Sequence, residues 1–244
     1  NNAVNQSGRT FVAWAWDAGS STVSNTDGSI TTSLRANAAA GFSIATYSGS
    51  GTNGDTIGHG LGVQPDFVIV KARNKSDDWR VYHSALGTGY FLALNSANSA
   101  SSGANWQSIS NTTLGLQNDS AINGSGYNYV AYFFAAVAGY SAFGSFSSGS
   151  NPFVYLGFRP KFILFKPSGT TGNWDIYDTL RSTYNESNQT LSPNLGGAEY
   201  DAGANGIDIL SNGFKCDGGQ NVSTTYIYAA FAENPFQANG GLAR

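Results

Sequence analysis

The chain has 244 residues, length for one large domain or two small ones, and only 11% are charged against 41% hydrophobic and 14% aromatic. That charge content lies well below the roughly 25% usual in soluble domains, and a net charge of −3 with no basic patch among the aromatics excludes nucleic acid as a partner. No run of about 18 apolar residues is present, so no membrane insertion is expected, and polarity carried by Gly, Asn, Ser and Thr with no Met favours short strands over helices.

The sequence opens on Asn1 with no visible signal peptide, which reads as a piece of a longer or processed chain. Asn5-x-Ser7-Gly8-x-x-Phe11-Val12-Ala13-Trp14 parallels Asn123-x-Ser125-Gly126-x-x-Tyr129-Val130-Ala131-Tyr132, so the chain is predicted to begin with the closing strand of a preceding unit. Gly19–Ala40, rich in Ser, Thr, Asn and Ala, reads as a linker, so residues 1–40 are a strand plus a connection. Within it, Asn25-Thr26-Asp27-Gly28-Ser29 echoes a calcium loop but lacks the distal Glu, and reads as a turn.

Two full units follow, 41–136 and 137–236, with a tail at 237–244. Gly62-x-x-Pro65-x-Phe67-Val68-Ile69-Val70-Lys71 returns 95 residues later as Gly157-x-x-Pro160-x-Phe162-Ile163-Leu164-Phe165-Lys166. Trp79-Arg80-Val81-Tyr82 returns at the same spacing as Trp174-Asp175-Ile176-Tyr177. Gly41-Phe42-Ser43 and Gly139-Tyr140-Ser141 open the units, and Tyr129–Ala135 and Tyr226–Ala232 close them. Phe67–Lys71 and Phe162–Lys166 read as strands buried on both faces, and Trp79–Tyr82 and Trp174–Tyr177 as alternating half-buried strands. Glycine clusters such as Gly49–Gly54 and the turn signal Asp217-Gly218-Gly219 punctuate hairpins. The predicted fold is all-β: two tandem homologous β-sandwich or small-barrel units.

No reaction centre emerges. His59, in Gly58-His59-Gly60-Leu61-Gly62, and His83 fall at the 95-residue spacing opposite Val154 and Asp178, and both read as structural. Asp77-Asp78 reads as a solvated hairpin turn. The glycine-rich stretches lack the Gly-Lys-Ser/Thr ending of a phosphate loop. Cys216, the single cysteine, reads as a packing residue. No catalytic residue, metal or cofactor is therefore expected, and the chain is not expected to be an enzyme. Trp79 and Trp174, recurring at one position, read as core residues. The units differ most in Gly87–Ser110 and Tyr184–Gly206, loops where recognition resides on a rigid scaffold. Tyr90, Trp106, Tyr184 and Tyr200 are the candidate binding residues there, with Trp106 read as an aromatic in a Ser/Asn-rich loop.

Ile57-Gly58-His59-Gly60-Leu61-Gly62-Val63-Gln64-Pro65, Asp78–His83, Tyr129–Tyr132 and Tyr226–Phe236, with the opening Phe11–Trp16 and Ser24–Ile30, resemble a repeat domain of unknown function in virion proteins of tailed phages, common in phages of aquatic bacteria including cyanophages. The resemblance covers nearly the whole chain, although the second unit has Val154-Tyr155-Leu156-Gly157 in place of His-Gly-Leu-Gly. It implies a virion structural protein, a tail-fibre or capsid-surface appendage for assembly or host adsorption, at the virion surface or otherwise extracellular. The partners so implied are other virion proteins, a host-surface glycan, and the chain itself in a closed homo-oligomer, a trimer by analogy with phage fibres. The alternatives are a secreted carbohydrate-binding module or adhesin, and a glycan-degrading tailspike.

Overall fold

A run such as Phe67–Val70 offers no polar face to water, so a sheet containing it needs cover on both sides. The computed structural model, which describes residues 4, 6–103, 105–149, 151–216 and 224–235, supplies that cover by stacking sheets. The strand start at Asn5, the turn at Asp217-Gly218-Gly219, the unit end at Phe236 and the tail 237–244 lie outside the described residues.

The first half contains β1 (Val23–Asn25), β2 (Thr32–Asn37), β3 (Phe42–Ser48), β4 (Thr56–Gly58), β5 (Phe67–Ala72), β6 (Arg80–His83), β7 (Tyr90–Ala93), β8 (Ser101–Ser102), β9 (Trp106–Ile109), β10 (Thr113–Leu116) and β11 (Asn128–Phe134). The second half contains β12 (Ser141–Ser147), β13 (Phe153–Tyr155), β14 (Pro160–Pro167), β15 (Asp175–Asp178), β16 (Gln189–Thr190), β17 (Tyr200–Asp201), β18 (Ile207–Leu210), β19 (Gly213–Cys216) and β20 (Thr225–Ala232). Among the described residues there is no α-helix, and no sheet closes into a barrel.

Strand order repeats between the halves. The first large sheet contains β3-β11-β5-β6 and the second is β12-β20-β14-β15, while the small sheets run β4-β10-β9 and β13-β19-β18. Registers repeat as well. Phe67 pairs with His83 and Val68 with Tyr82, as Phe162 pairs with Asp178 and Ile163 with Tyr177. Phe134 pairs with both Phe42 and Phe67, as Phe231 pairs with Ser141 and Phe162.

Alternation along each strand then builds three cores. Val68, Val70, Tyr82, Tyr129 and Ala131 face the small sheet of the first half, where Ile57, Leu114, Leu116 and Trp106 meet them. Ile163, Phe165, Tyr177, Tyr226 and Tyr228 face Val154, Ile209 and Phe214 in the second half. The residues in between, Phe67, Val81 and Phe134 on one side and Phe162, Leu164, Ile176 and Phe231 on the other, bury the two large sheets against each other. The order is thus small sheet, large sheet, large sheet, small sheet, with an aromatic seam at the centre. Phe134 and Phe231 meet there edge to face at 5.8 Å.

Two expectations are corrected. Residues 6–22 form no strand, and the segment instead puts Trp14 against Phe162 at 5.4 Å and Trp16 against Phe134 and Phe231 at 5.8 and 5.2 Å, edge to face. Large rings fitting the gap between the sheets explain why it reads like a closing strand without pairing as one. The stretch 19–40 is not a bare linker. It carries β1 and β2, and β2 pairs with β3 so that Leu34 seals the end of the first core.

Candidate functional site

Both histidines are buried and consumed by the backbone. His83 Nδ1 accepts the Ala85 N–H at 3.1 Å, and its Nε2 lies 3.0 Å from the Tyr228 carbonyl across the seam. His59 Nδ1 accepts the Leu61 N–H at 3.3 Å, with Nε2 3.2 Å from the Ser110 carbonyl. One nitrogen accepting and the other donating is the neutral imidazole, in agreement with pKa values lowered by burial. Asp178 does the work of His83 in the second half: its Oδ1 accepts the Leu180 N–H, two residues on, at 3.0 Å. The 95-residue spacing mispairs His59, because Val154 opposes Phe214 as Ile57 opposes Leu114. Leu156 therefore takes the place of His59, its N–H bonding the Asn212 carbonyl as that of His59 bonds Thr112. Cys216 is buried in the second core, and Asn25 and Asp27 bond each other in a turn packed on Gly58.

Asp77 is tied to Lys75 Nζ at 2.8 Å. Asp78 accepts the Asn95 amide at 3.0 Å and lies 3.7 Å from Arg80. Asp78 and Arg80 line a pocket of about 370 Å³ whose other walls include Phe91, Asn95, Ser96, Asn98, Ser99 and Ser101. The Arg80 guanidinium lies over the Phe91 ring at 4.2 Å, and its buried Nε has no hydrogen-bond partner among the described residues. The loop that walls the pocket is pinned from the second half. Ala100 N–H bonds the Ser168 carbonyl at 2.8 Å, Trp174 Nε1 the Ala93 carbonyl at 2.9 Å, and Lys166 Nζ the Ala97 carbonyl at 3.2 Å. Lys166 is fully buried, and desolvation lowers its pKa to about 8 against an opposing pull from Asp175.

The four predicted binding residues are not gathered into one site. Trp106 begins β9 and is 1% exposed, edge-on to Tyr82 at 6.1 Å, so the exposed-loop reading of Trp106 is corrected: β10 and the large sheet enclose it. Tyr90 (47%), Tyr184 (85%) and Tyr200 (40%) are exposed, and the Tyr200 hydroxyl donates to Asp175 at 3.1 Å. The stretch Gly87–Ser110 does wall the pocket, through Phe91 and the amides and hydroxyls after it rather than through Trp106. Sequence reading passed over Arg80, Phe91 and Asn95. The available signal was Asn95, which caps the Trp79 N–H at 3.0 Å just as Asn194 caps that of Trp174.

The model of a domain of unknown function, DUF7483, matches residues 1–235. The chain belongs to the DUF7483 family. No curated protein and no solved structure matches it. The DUF7483 match runs through both large sheets, both small sheets and the seam, so the pocket and the loop pinned beneath it lie wholly within the family domain.

Proposed function

We propose that this chain is a virion structural protein, built of two tandem homologous β-sandwich units, that works by surface contact in assembly and host adsorption and not by catalysis. The observation that carries the reading is the pocket at Asp78, Arg80 and Phe91. It presents one carboxylate and one guanidinium at the start of β6, facing amides and hydroxyls on a loop hydrogen-bonded to the second half. Convergent donors and acceptors with an aromatic wall suit a polyhydroxylated ligand such as a host-surface glycan. Both histidines are engaged as neutral backbone partners, Asp77 is held by Lys75, and Asp78, the carboxylate of the pocket, accepts the Asn95 amide. Matching strand orders and registers support the tandem reading. The resemblance to tailed-phage proteins supports a place on the virion.

The test has two parts. Immunogold electron microscopy with antibody to the chain should label assembled phage particles, and absence of label would remove the virion role in favour of a secreted glycan-binding module. Purified chain incubated with host envelope polysaccharide should bind it and release no reducing ends, and Asn98→Ala should weaken binding while leaving the fold unchanged. Released sugar would make it a tailspike enzyme.

A further inference from the structure

A strand at the edge of a sheet exposes a row of unpaired N–H and C=O groups, and proteins shield such edges with charge, proline, bulges or brevity. In the first half the outer edge of β3 is covered by β2, antiparallel, with Leu34 opposite Ala45 and Arg35 opposite Ile44. The covering segment reaches the small sheet too, where Ile30 bridges Ile57 and the Ser29 N–H bonds Thr56 Oγ1. The equivalent strand of the second half is β12, which pairs with β20 as β3 pairs with β11. Only residues 135–140 separate β11 from β12, too few to supply a counterpart of β1 and β2. Among the described residues nothing pairs with the outer edge of residues 142–147.

This edge carries none of the usual shields. At seven residues β12 is the longest edge strand among those described, its register with β20 runs without a bulge, and Ser141-Ala142-Phe143-Gly144-Ser145-Phe146-Ser147 contains neither charge nor proline. Ser145 and Ser147 are exposed, and the Phe143 and Phe146 rings are only partly covered. On β13, whose counterpart β4 is reached by the covering segment in the first half, Phe153 and Tyr155 are 48% and 69% exposed.

We propose that the outer edge of β12 is a docking edge for β12 of a second copy of this chain, the two strands pairing antiparallel about a two-fold axis at Gly144. The sequence fits itself in that arrangement. Centred on Gly144, Ala142 falls opposite Phe146 and Phe143 opposite Ser145, so each ring meets a small residue. The product is one continuous eight-stranded sheet made from two four-stranded ones. It is a dimer, not the trimer that the fibre analogy suggests.

The test is the mass in solution, by size-exclusion chromatography with light scattering, of wild type, Ser145→Lys and Ser147→Lys up to roughly 0.1 mM chain. Wild type should have the mass of two chains. Each lysine variant should have the mass of one, with an unchanged far-ultraviolet circular dichroism spectrum, and hydrogen exchange should show the outward β12 amides, those not bonded to β20, protected in wild type only. Ser147→Lys, at the strand end, guards against misfolding of the first variant. A wild-type monomer at all concentrations would overturn the proposal, and so would a dimer that survives both substitutions. A monomer that binds a peptide of residues 30–37 would assign the edge to a donated strand and overturn the second-copy assignment. The inference deepens the assembly role above but fails separately from it: a dimer that labels no virion keeps the edge assignment, and a labelled virion with a monomeric chain removes it.

Discussion

Trp79 and Trp174 stand 95 residues apart at the head of matching strands, each with its N–H capped by an asparagine at 3.0 Å, yet Trp79 is 36% exposed and Trp174 1%. The difference comes from what lies across the seam. Trp174 finds the Ala93 carbonyl and the loop after β7, whereas Trp79 gains no such partner among the described residues. The halves differ at the sheet edges too, where β3 is covered by β2 and β12 has no such cover among the described residues. Matching local sequence reproduces backbone pairing and capping. Burial is decided by what packs on each element, the other half for Trp174 and the segment before β3 for the sheet edge, and there the halves part company.

Substitution can break this comparison or sharpen it. The largest effect belongs to Trp174→Ala, which should destabilise by about 3–5 kcal/mol in urea unfolding, while Trp79→Ala should cost less than about 1 kcal/mol. Equal costs would make the buried and exposed positions energetically alike and dissolve the contrast. Leu34→Ala comes next at about 2–4 kcal/mol, because Leu34 enters the first core from β2, a strand with no counterpart among the described residues of the second half.

Lys166 makes the seam sensitive to pH. Its folded pKa of about 8 lies below the ordinary 10.5, so between these values the unfolded chain holds the extra proton and stability rises with pH. Unfolding free energy should increase by about 1–3 kcal/mol from pH 7.5 to 9.5, and Lys166→Met should abolish the rise. That window stays below the range where the buried tyrosines, with raised pKa values, act in the opposite direction. The smallest effect is at His83. Its folded pKa lies below 6.5, so its contribution is present above that pH and is lost as pH falls toward the folded value. His83→Asn should cost about 1 kcal/mol at neutral pH and flatten the acid limb, with His59 contributing the same sign.

The strands that repeat were legible because they obey local rules. Phe67–Lys71 and Phe162–Lys166 are apolar on both faces, and both became central strands bearing cores on both sides. Residues 19–40 misled because their Ser and Thr sit on an edge with one face open to water: in β2, Thr32 and Leu34 are buried while Ser33 and Arg35 are exposed. Trp106 was misplaced for a related reason. Its neighbours in sequence are polar, but Leu116, its partner on β10, turns it inward. The pocket was legible as a variable stretch, Gly87–Ser110, but not as a chemistry, because Arg80 and Phe91 meet only once β6 and β7 pair.

The seam has one more consequence, for how the protein responds to dilution. Its two walls are the same face of the two halves, the relation that separate subunits have across a two-fold contact. Joined through residues 135–140, the walls face each other at an effective concentration in the millimolar range or above, whatever the concentration of the chain. The central interface therefore closes by a unimolecular step and survives dispersal into a large volume, whereas a contact made at β12 depends on a neighbour being near.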